Sequence, residues 1–516
     1  MCNNDKNKYT NWLLIFGLCA GLQGCGGDGN ADANGGADNT NVTLTEEQTA
    51  LNAIIENLNL AVSPTAGRTI PDINDPLATL GRKLFFSNSL SGDQDVACAS
   101  CHHPMLGGAD ELSLPVGVNA TQPEVLGEGR VDADDLPDVP RNSPTIFNMA
   151  LWDTGLFWDS RVESSGKEAG QNGAGSTIST PDSGFGVADA NAGDNLVMAQ
   201  ARFPVTSDEE MKDTTFENGS NNDTIRSHLA ARIGDYGVGA GELATNQWLA
   251  AFQTGFNSSD GATTLITYDN IAKALAEYQR SMVFVNSPWQ NYLDGETDAL
   301  TNLQIEGALL FFTDTTQGGA GCVNCHSGIL FSDGLHHTVG FPQIGPGKNT
   351  GDDDDFGREL ISGDTNDRHR FRTPSLLNIA VTAPYGHAGA YGNIERVLRH
   401  YDNPRNTVNN YFNNDRLCDL DQFENVSNCT SLYPDARSHT LDAISKLEDE
   451  QNNGTSELNN VNFDGTERAQ LEAFLNALTD PCVLDRACMS AWIADEVDDN
   501  PDAQVLIATD EFGAPL

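Results

Sequence analysis

Cys98, Cys101 and His102 form one C-x-x-C-H pentapeptide, and Cys322, Cys325 and His326 form a second. That spacing is the covalent attachment signal of c-type haem: each thiol adds to a porphyrin vinyl group, and the adjoining histidine ligates the iron. A single copy would also suit half of a zinc site with an incidental histidine. Two copies in a chain with an export-type leader point to two haems, and so to redox chemistry at iron.

The leader carries Lys6 and Lys8 ahead of an apolar run at 12–22, too short to span a bilayer and typical of a signal peptide. It ends in Leu22-Gln23-Gly24-Cys25, similar to a bacterial lipoprotein cleavage box. Residues 1–24 are therefore expected to leave, with Cys25 lipidated. An ordinary secretory cleavage nearby is the alternative. Residues 25–45 are rich in Gly, Asp, Asn and Ala and read as a flexible tether. The expected location is the periplasm or cell envelope, with a lipid anchor to the outer membrane as the only membrane contact.

The 11 cysteines divide consistently with export. Cys2 and Cys19 fall in the leader, Cys25 takes lipid and four take haem. Cys418, Cys429, Cys482 and Cys488 remain, an even number in an oxidising compartment. The local pairing Cys418–Cys429 and Cys482–Cys488 is one of three connectivities. The net charge of −46 argues against nucleic acid and favours a basic redox partner, although a salt-adapted proteome gives the same excess.

The elements that must position the motifs are helical. Apolar residues recur at helical spacing over 51–60 and 77–86, just ahead of the first motif, and over 303–312, ahead of the second. Further amphipathic helices are expected at 248–256, 269–284 and 467–478. Residues 141–158 are mixed. Residues 166–194, rich in Gly, Ser, Asn and Asp, read as an irregular surface insertion, and a polar, Asn-rich stretch follows Tyr401 as far as about 460. The fold class is mainly α, with two cytochrome c-like helical haem domains and long irregular loops. The expected divisions are 46–290, 291–480 and an extension at 481–516.

Five further segments carry a family resemblance: Leu80 to Phe86, Arg141-Asn142-Ser143-Pro144, Phe157-Trp158-Asp159-Ser160-Arg161, Phe371-Arg372-Thr373-Pro374-Ser375, and Thr382-Ala383-Pro384-Tyr385-Gly386-His387. Together, from about 80 to 401, they resemble the bacterial dihaem cytochrome c peroxidase/MauG family. The resemblance implies two cytochrome c-like domains with a calcium ion between them. It also implies that hydrogen peroxide reacts at the N-terminal haem and that electrons are drawn through the C-terminal one. They would come from a small redox protein, a cytochrome c or cupredoxin, or from a protein side chain. A non-catalytic dihaem electron carrier is the alternative from another class.

The axial ligands separate branches of that family. Its peroxidases usually cap the resting first haem with a loop histidine, yet no histidine lies between His103 and His228. His103 adjoins His102 and is poorly placed to reach the opposite face, so the first iron is expected to be open. At the second haem, the family's distal methionine position falls on Tyr401, where MauG-like enzymes carry a tyrosine ligand. His400 is the alternative ligand, and Tyr401 as a plain core aromatic is the other. A tyrosinate oxygen would stabilise oxidised iron.

The resemblance also assigns Trp158 as the inter-haem tryptophan and Glu210 as the distal proton carrier. Gln200, ten residues before Glu210, and Pro204 between them belong to the same pocket. Asn142, Thr382 and Pro384 take the calcium positions, as oxygen donors suited to a hard cation. The run 352–355 reads as a solvated acidic loop rather than a second calcium site. There are two departures from the family. Trp158 and Gln200 stand much further apart, because the 166–194 insertion lies between them and could reshape access to the first haem. Gly386 and Ala388 replace bulkier or polar residues, which leaves the surroundings of His387 open.

Overall fold

The computed structural model describes residues 44–516 apart from 135, 350 and 352. The leader, Cys25 and nearly all of the 25–45 tether lie outside the described residues. Helices dominate, and the described strands are only two or three residues long. Two hydrophobic cores organise the chain, one beside each C-x-x-C-H motif.

Each motif follows a helix that crosses a partner helix at a glycine. In the first core, Pro76–Phe85 starts on a proline at its first turn, where a missing N–H costs nothing, and buries Leu80, Leu84 and Phe85. It packs on Tyr268–Ser281, which is capped by the Thr267 side chain. At Gly81 a β-carbon would stand 2.0 Å from the Ala274 carbonyl oxygen, so any other residue would push the pair apart. In the second core, Asn302–Phe312 begins with a Thr301–Gln304 capping box and packs on Gly465–Asn476, whose own box is Asp464–Glu467. There Gly307 makes the close approach, 1.9 Å from the Gln470 carbonyl oxygen for a built β-carbon. Trp289, Phe311, Phe312, Phe331 and Phe474 interlock around this crossing.

The cores depart from the expected domain divisions at both ends. The helix Glu46–Leu58, assigned to the first domain, buries Leu51 and Ile55 in the second core instead. Gln48 Nε2 donates to the Thr297 carbonyl at 2.8 Å, and the Tyr292 hydroxyl donates to Asn52 Oδ1 at 3.0 Å. Conversely, the extension at 481–516 returns to the first core, contributing Val483, Met489, Ala494, Leu506 and Ala508. Its Asp502, 2 % exposed, accepts from the Ser87 and Ser89 hydroxyls and from Trp248 Nε1 at 2.7–2.8 Å. Among the described residues the disulfides are Cys418–Cys429 and Cys482–Cys488, the local pairing.

The insertion at 166–194 is more ordered than its composition suggests. Ile178–Ser179 pairs antiparallel with Val162–Ser164, which pairs with Gly155–Leu156. Asn172 donates to the Met149 and Trp152 carbonyls. The polar stretch after Tyr401 holds the helices Pro404–Asn413 and Ala436–Asn452.

Candidate functional site

Each attachment motif opens onto an internal cavity. The first, of about 110 Å³, is lined by Cys98, Cys101 and His102, and also by Trp158, Gln200, Pro204 and Glu210. The four residues assigned to its chemistry therefore meet across it. His102 is oriented from behind: its Nδ1 lies 3.1 Å from both the Gly108 carbonyl and the Ser143 hydroxyl, leaving Nε2 for a ligand. The Ser143 hydroxyl also donates to the Cys101 carbonyl at 2.6 Å.

Glu210 stands on the π-helical turn Asp208–Lys212, capped by the Ser207 side chain. Such turns recur at functional sites because they displace one residue from the regular helical face. The backbone around it is tightly held. Gly92 N donates to the Met211 carbonyl at 2.8 Å, and a β-carbon at Gly117 would stand 2.0 Å from the Glu209 carbonyl oxygen. Burial raises the Glu210 carboxyl above its ordinary pKa, while Arg161 and Lys348 pull it back. Both cations line the same cavity, and neither was singled out from the sequence. Arg161 lies over the Phe157 ring at 3.5 Å. Lys348 reaches in from far along the chain; desolvation of its ammonium at the cavity and the neighbouring arginines push it down to about 8, although the residue as a whole remains exposed to solvent. No motif marked it; only the fold brings it there.

His102 is the one histidine lining this cavity. His103 is 1 % exposed; its Nδ1 accepts from Met105 N at 3.2 Å and its ring packs edge-on against Phe86. None of the described residues in the 166–194 insertion lines the cavity.

The second cavity, of about 240 Å³, is lined by Cys322, Cys325, His326, Trp158, Phe341 and Tyr401. Nδ1 of His326 lies 3.0 Å from the Phe331 carbonyl, again freeing Nε2. His400 is turned away, with both nitrogens occupied by the Tyr391 hydroxyl and the Val339 carbonyl. Met282 and Met489 are buried in the first core. Burial raises the Tyr401 phenol above its ordinary pKa, so an anionic oxygen there requires a cation in the cavity.

Trp158 lines both cavities, as do Asn142 and Ser143. Its Nε1 donates to the Asn142 carbonyl at 2.9 Å, and its own carbonyl accepts from Arg372 N at 2.8 Å. Beneath it, Arg141 donates to both oxygens of Asp355, at 2.6 and 2.8 Å, and to Asp159 at 2.5 Å. Asp354 and Asp355 are 4 % and 3 % exposed, so this part of the 352–355 run is a buried ion-pair anchor and not a solvated loop. Asp352 lies outside the described residues. Asn142, Thr382 and Pro384 all line the second cavity; Asn142 Nδ2 donates to the Leu112 carbonyl at 2.9 Å, leaving its Oδ1 as an acceptor. Gly386, at φ +94°, is explained by Phe341: a β-carbon would stand 2.6 Å from its ring. His387 stacks on Phe371 at 3.9 Å, with Nε2 buried and without a partner.

The residues present fit two haems. Both thiol pairs are free, whereas the other four described cysteines are disulfide-bonded. Both motif histidines are fixed through Nδ1, and each faces a cavity walled largely by apolar and aromatic side chains. The structure is thus that of a dihaem c-type cytochrome with dissimilar sites, and Trp158 lines both.

Comparison with known proteins agrees. Residues 75–298 match the family model described as di-haem cytochrome c peroxidase. The methylamine utilization protein MauG of Methylorubrum extorquens is 28 % identical over 322 residues, covering 62 % of this chain and 67 % of that protein. The cytochrome c551 peroxidase of Nitrosomonas europaea is 25 % identical over 362 residues, covering 70 % and 82 %. A crystal structure of a MauG-like protein associated with microbial copper homeostasis shares the fold, with a TM-score of 0.51 and 20 % identity over 82 % of this chain and 96 % of that one. The chain is thus similar to the dihaem cytochrome c peroxidase/MauG family, over its first haem region in the family model and over both haem regions in these relatives. It is an oxidoreductase that acts on peroxide, with two c-type haems and electron transfer through the second.

Proposed function

We propose that the chain is a MauG-like peroxidase or oxidase whose first haem is open to hydrogen peroxide at rest and whose second is capped by His326 and Tyr401. When bound, the haems supply the iron redox chemistry; the chain supplies proton handling, orientation and electron routing. His102 and His326 hold the proximal faces. Glu210 takes a proton from the near oxygen of peroxide and returns it to the departing one, which makes water the leaving group. Gln200 and Pro204 fix the position of peroxide beside it. Trp158 conducts between the sites, since its indole can lose an electron transiently. Asn142, Thr382 and Pro384 are the oxygen donors for one calcium ion. The observation that carries this reading is the lining of the first cavity: Glu210 and Gln200 face His102 with no second histidine among the lining residues.

The electron source is a small redox protein, a cytochrome c or cupredoxin, or a side chain of a protein substrate. The setting is the periplasm or cell envelope, with Cys25 lipidated. No described helix is long and apolar enough to cross a membrane. Spectra of the diferric enzyme test the assignment. One high-spin and one low-spin signal are expected, with reaction on adding peroxide before any reduction. Tyr401→Phe should convert the low-spin signal to high-spin. A resting first haem already capped by a protein side chain would overturn the open-site assignment.

A further inference from the structure

Behind Tyr401 the second haem domain buries a tyrosine–histidine pair that the proposed function does not use. Tyr391 is 1 % exposed and His400 0 %. The Tyr391 hydroxyl lies 2.8 Å from His400 Nδ1, and His400 Nε2 lies 2.7 Å from the Val339 carbonyl. A carbonyl can only accept, so Nε2 carries the imidazole proton and Nδ1 accepts from the phenol. Ring contacts join the pair to the cavity. His400 and Tyr401 have centroids 6.2 Å apart, and Phe341 touches Tyr391, His400 and Tyr401 at 5.3, 4.5 and 5.7 Å. On the far side Tyr391 meets Tyr411 at 6.0 Å, and Tyr411 meets the partly exposed Phe412 at 5.2 Å.

A phenol gives up an electron readily only if its proton can leave at the same time. Nearby tyrosines lack that provision. The Tyr411 hydroxyl is buried without a partner, and the Tyr385 hydroxyl donates to the Ile379 carbonyl, which cannot take a proton away. Tyr391 faces an imidazole nitrogen with a free lone pair. We propose that Tyr391 is an internal one-electron donor to the second haem site, its phenolic proton moving to His400 Nδ1 as the electron leaves.

The step balances. Peroxide takes up two electrons in becoming water: one comes from Tyr391 by way of the Tyr401 side as its O–H bond breaks, and the other from the haem irons, to be replaced later by the external donor. The products are a neutral phenoxyl radical and an imidazolium that still donates to Val339. One electron from the external donor, with the proton returned from His400, restores the pair. The pair thereby holds an oxidising equivalent when no donor is docked, and the Tyr411–Phe412 side gives it a short aromatic route toward the surface. This inference rests on the peroxide reaction proposed above.

The test is rapid-freeze electron paramagnetic resonance of the full dihaem enzyme, mixed with one equivalent of peroxide without reductant. A tyrosyl radical signal is expected, narrowed in protein grown on ring-deuterated tyrosine, with a nitrogen coupling that changes on ¹⁵N-histidine labelling. Tyr391→Phe should abolish it and Tyr411→Phe should not, with the resting haem spectra as control. A radical that persists in Tyr391→Phe, or lacks histidine-nitrogen coupling in the unmodified chain, overturns the inference. So does a peroxide reaction that leaves no tyrosyl signal. Haem spectra that do not respond to peroxide would instead remove the proposed function itself, and this inference with it.

Discussion

At Glu210 a buried carboxyl must be ionised to accept a proton from peroxide, yet burial favours its neutral form. With its pKa raised, the rate of the first reaction with peroxide should rise with pH through a midpoint above the ordinary glutamate value of about 4.3. Arg161 and Lys348 oppose the rise, so Arg161→Gln should move that midpoint still higher. Glu210→Gln should lower the rate by about 10²–10⁴-fold and remove the pH dependence, while leaving both haem spectra nearly unchanged. Stopped-flow traces across a pH series read all of this. A variant as fast as the parent would show that another group moves the proton. The family resemblance put Glu210, Gln200 and Tyr401 forward as candidates ahead of the structure. It left His400 open as a ligand, because only the structure shows that both imidazole nitrogens are already occupied. Arg161 stood inside a quoted motif without a role, and Lys348 in no motif at all. Their meeting over Glu210 comes from long-range folding that no local pattern encodes.

At the scale of elements, charged groups tie together parts of the chain that are distant in sequence. Arg141 pairs with Asp159 and Asp355 beneath Trp158, and these contacts hold both carboxyls below their usual pKa despite burial. Because the folded values are depressed, the stabilisation is present above the unfolded aspartate value of about 3.9 and is lost as pH falls through the folded one. Asp355→Asn should therefore cost about 3–5 kcal/mol near pH 7, the usual range for breaking a buried pair, and progressively less in acid. Denaturant melts at several pH values would show this convergence; a gap independent of pH would mean that packing, not charge, is lost. In the extension, Asp502 is the single acceptor for two buried hydroxyls and an indole N–H. Asp502→Ala should cost on the order of 3 kcal/mol and loosen the first haem domain before the second. Hydrogen exchange resolved by segment reads the order of opening. The helices flanking the motifs were legible from apolar spacing, since their buried faces repeat at the helical period. The swapped ends were not, because Leu51 and Leu506 are apolar in either assignment and only their partners differ. Pro404–Asn413 buries only Val408 and Tyr411, and the helically spaced stripe of Ala436–Asn452 is built in part from the small residues Ala436, Thr440 and Ala443, so neither stands out from its polar surroundings.

For the whole molecule, charge is the property that no single contact expresses. There are 74 acidic residues against 28 basic ones, in a protein whose second haem must exchange electrons with something outside. A field of that sign gathers basic partners and repels acidic ones, changing association rates by about 10- to 10³-fold at low salt. Hydrogen peroxide is uncharged and feels none of this. Turnover supported by a basic small cytochrome should thus fall by about tenfold or more as ionic strength rises past the point where the screening length drops below about 10 Å. Turnover with an acidic donor should rise over the same interval, and the single-turnover reaction with peroxide should stay flat. Steady-state assays over a salt series with the two donors, beside stopped-flow mixing with peroxide alone, separate docking from chemistry. If both donors are indifferent to salt while the peroxide step is intact, the charge serves solvation of an acidic, salt-adapted surface. Donor choice must then come from shape and apolar contact near the second haem.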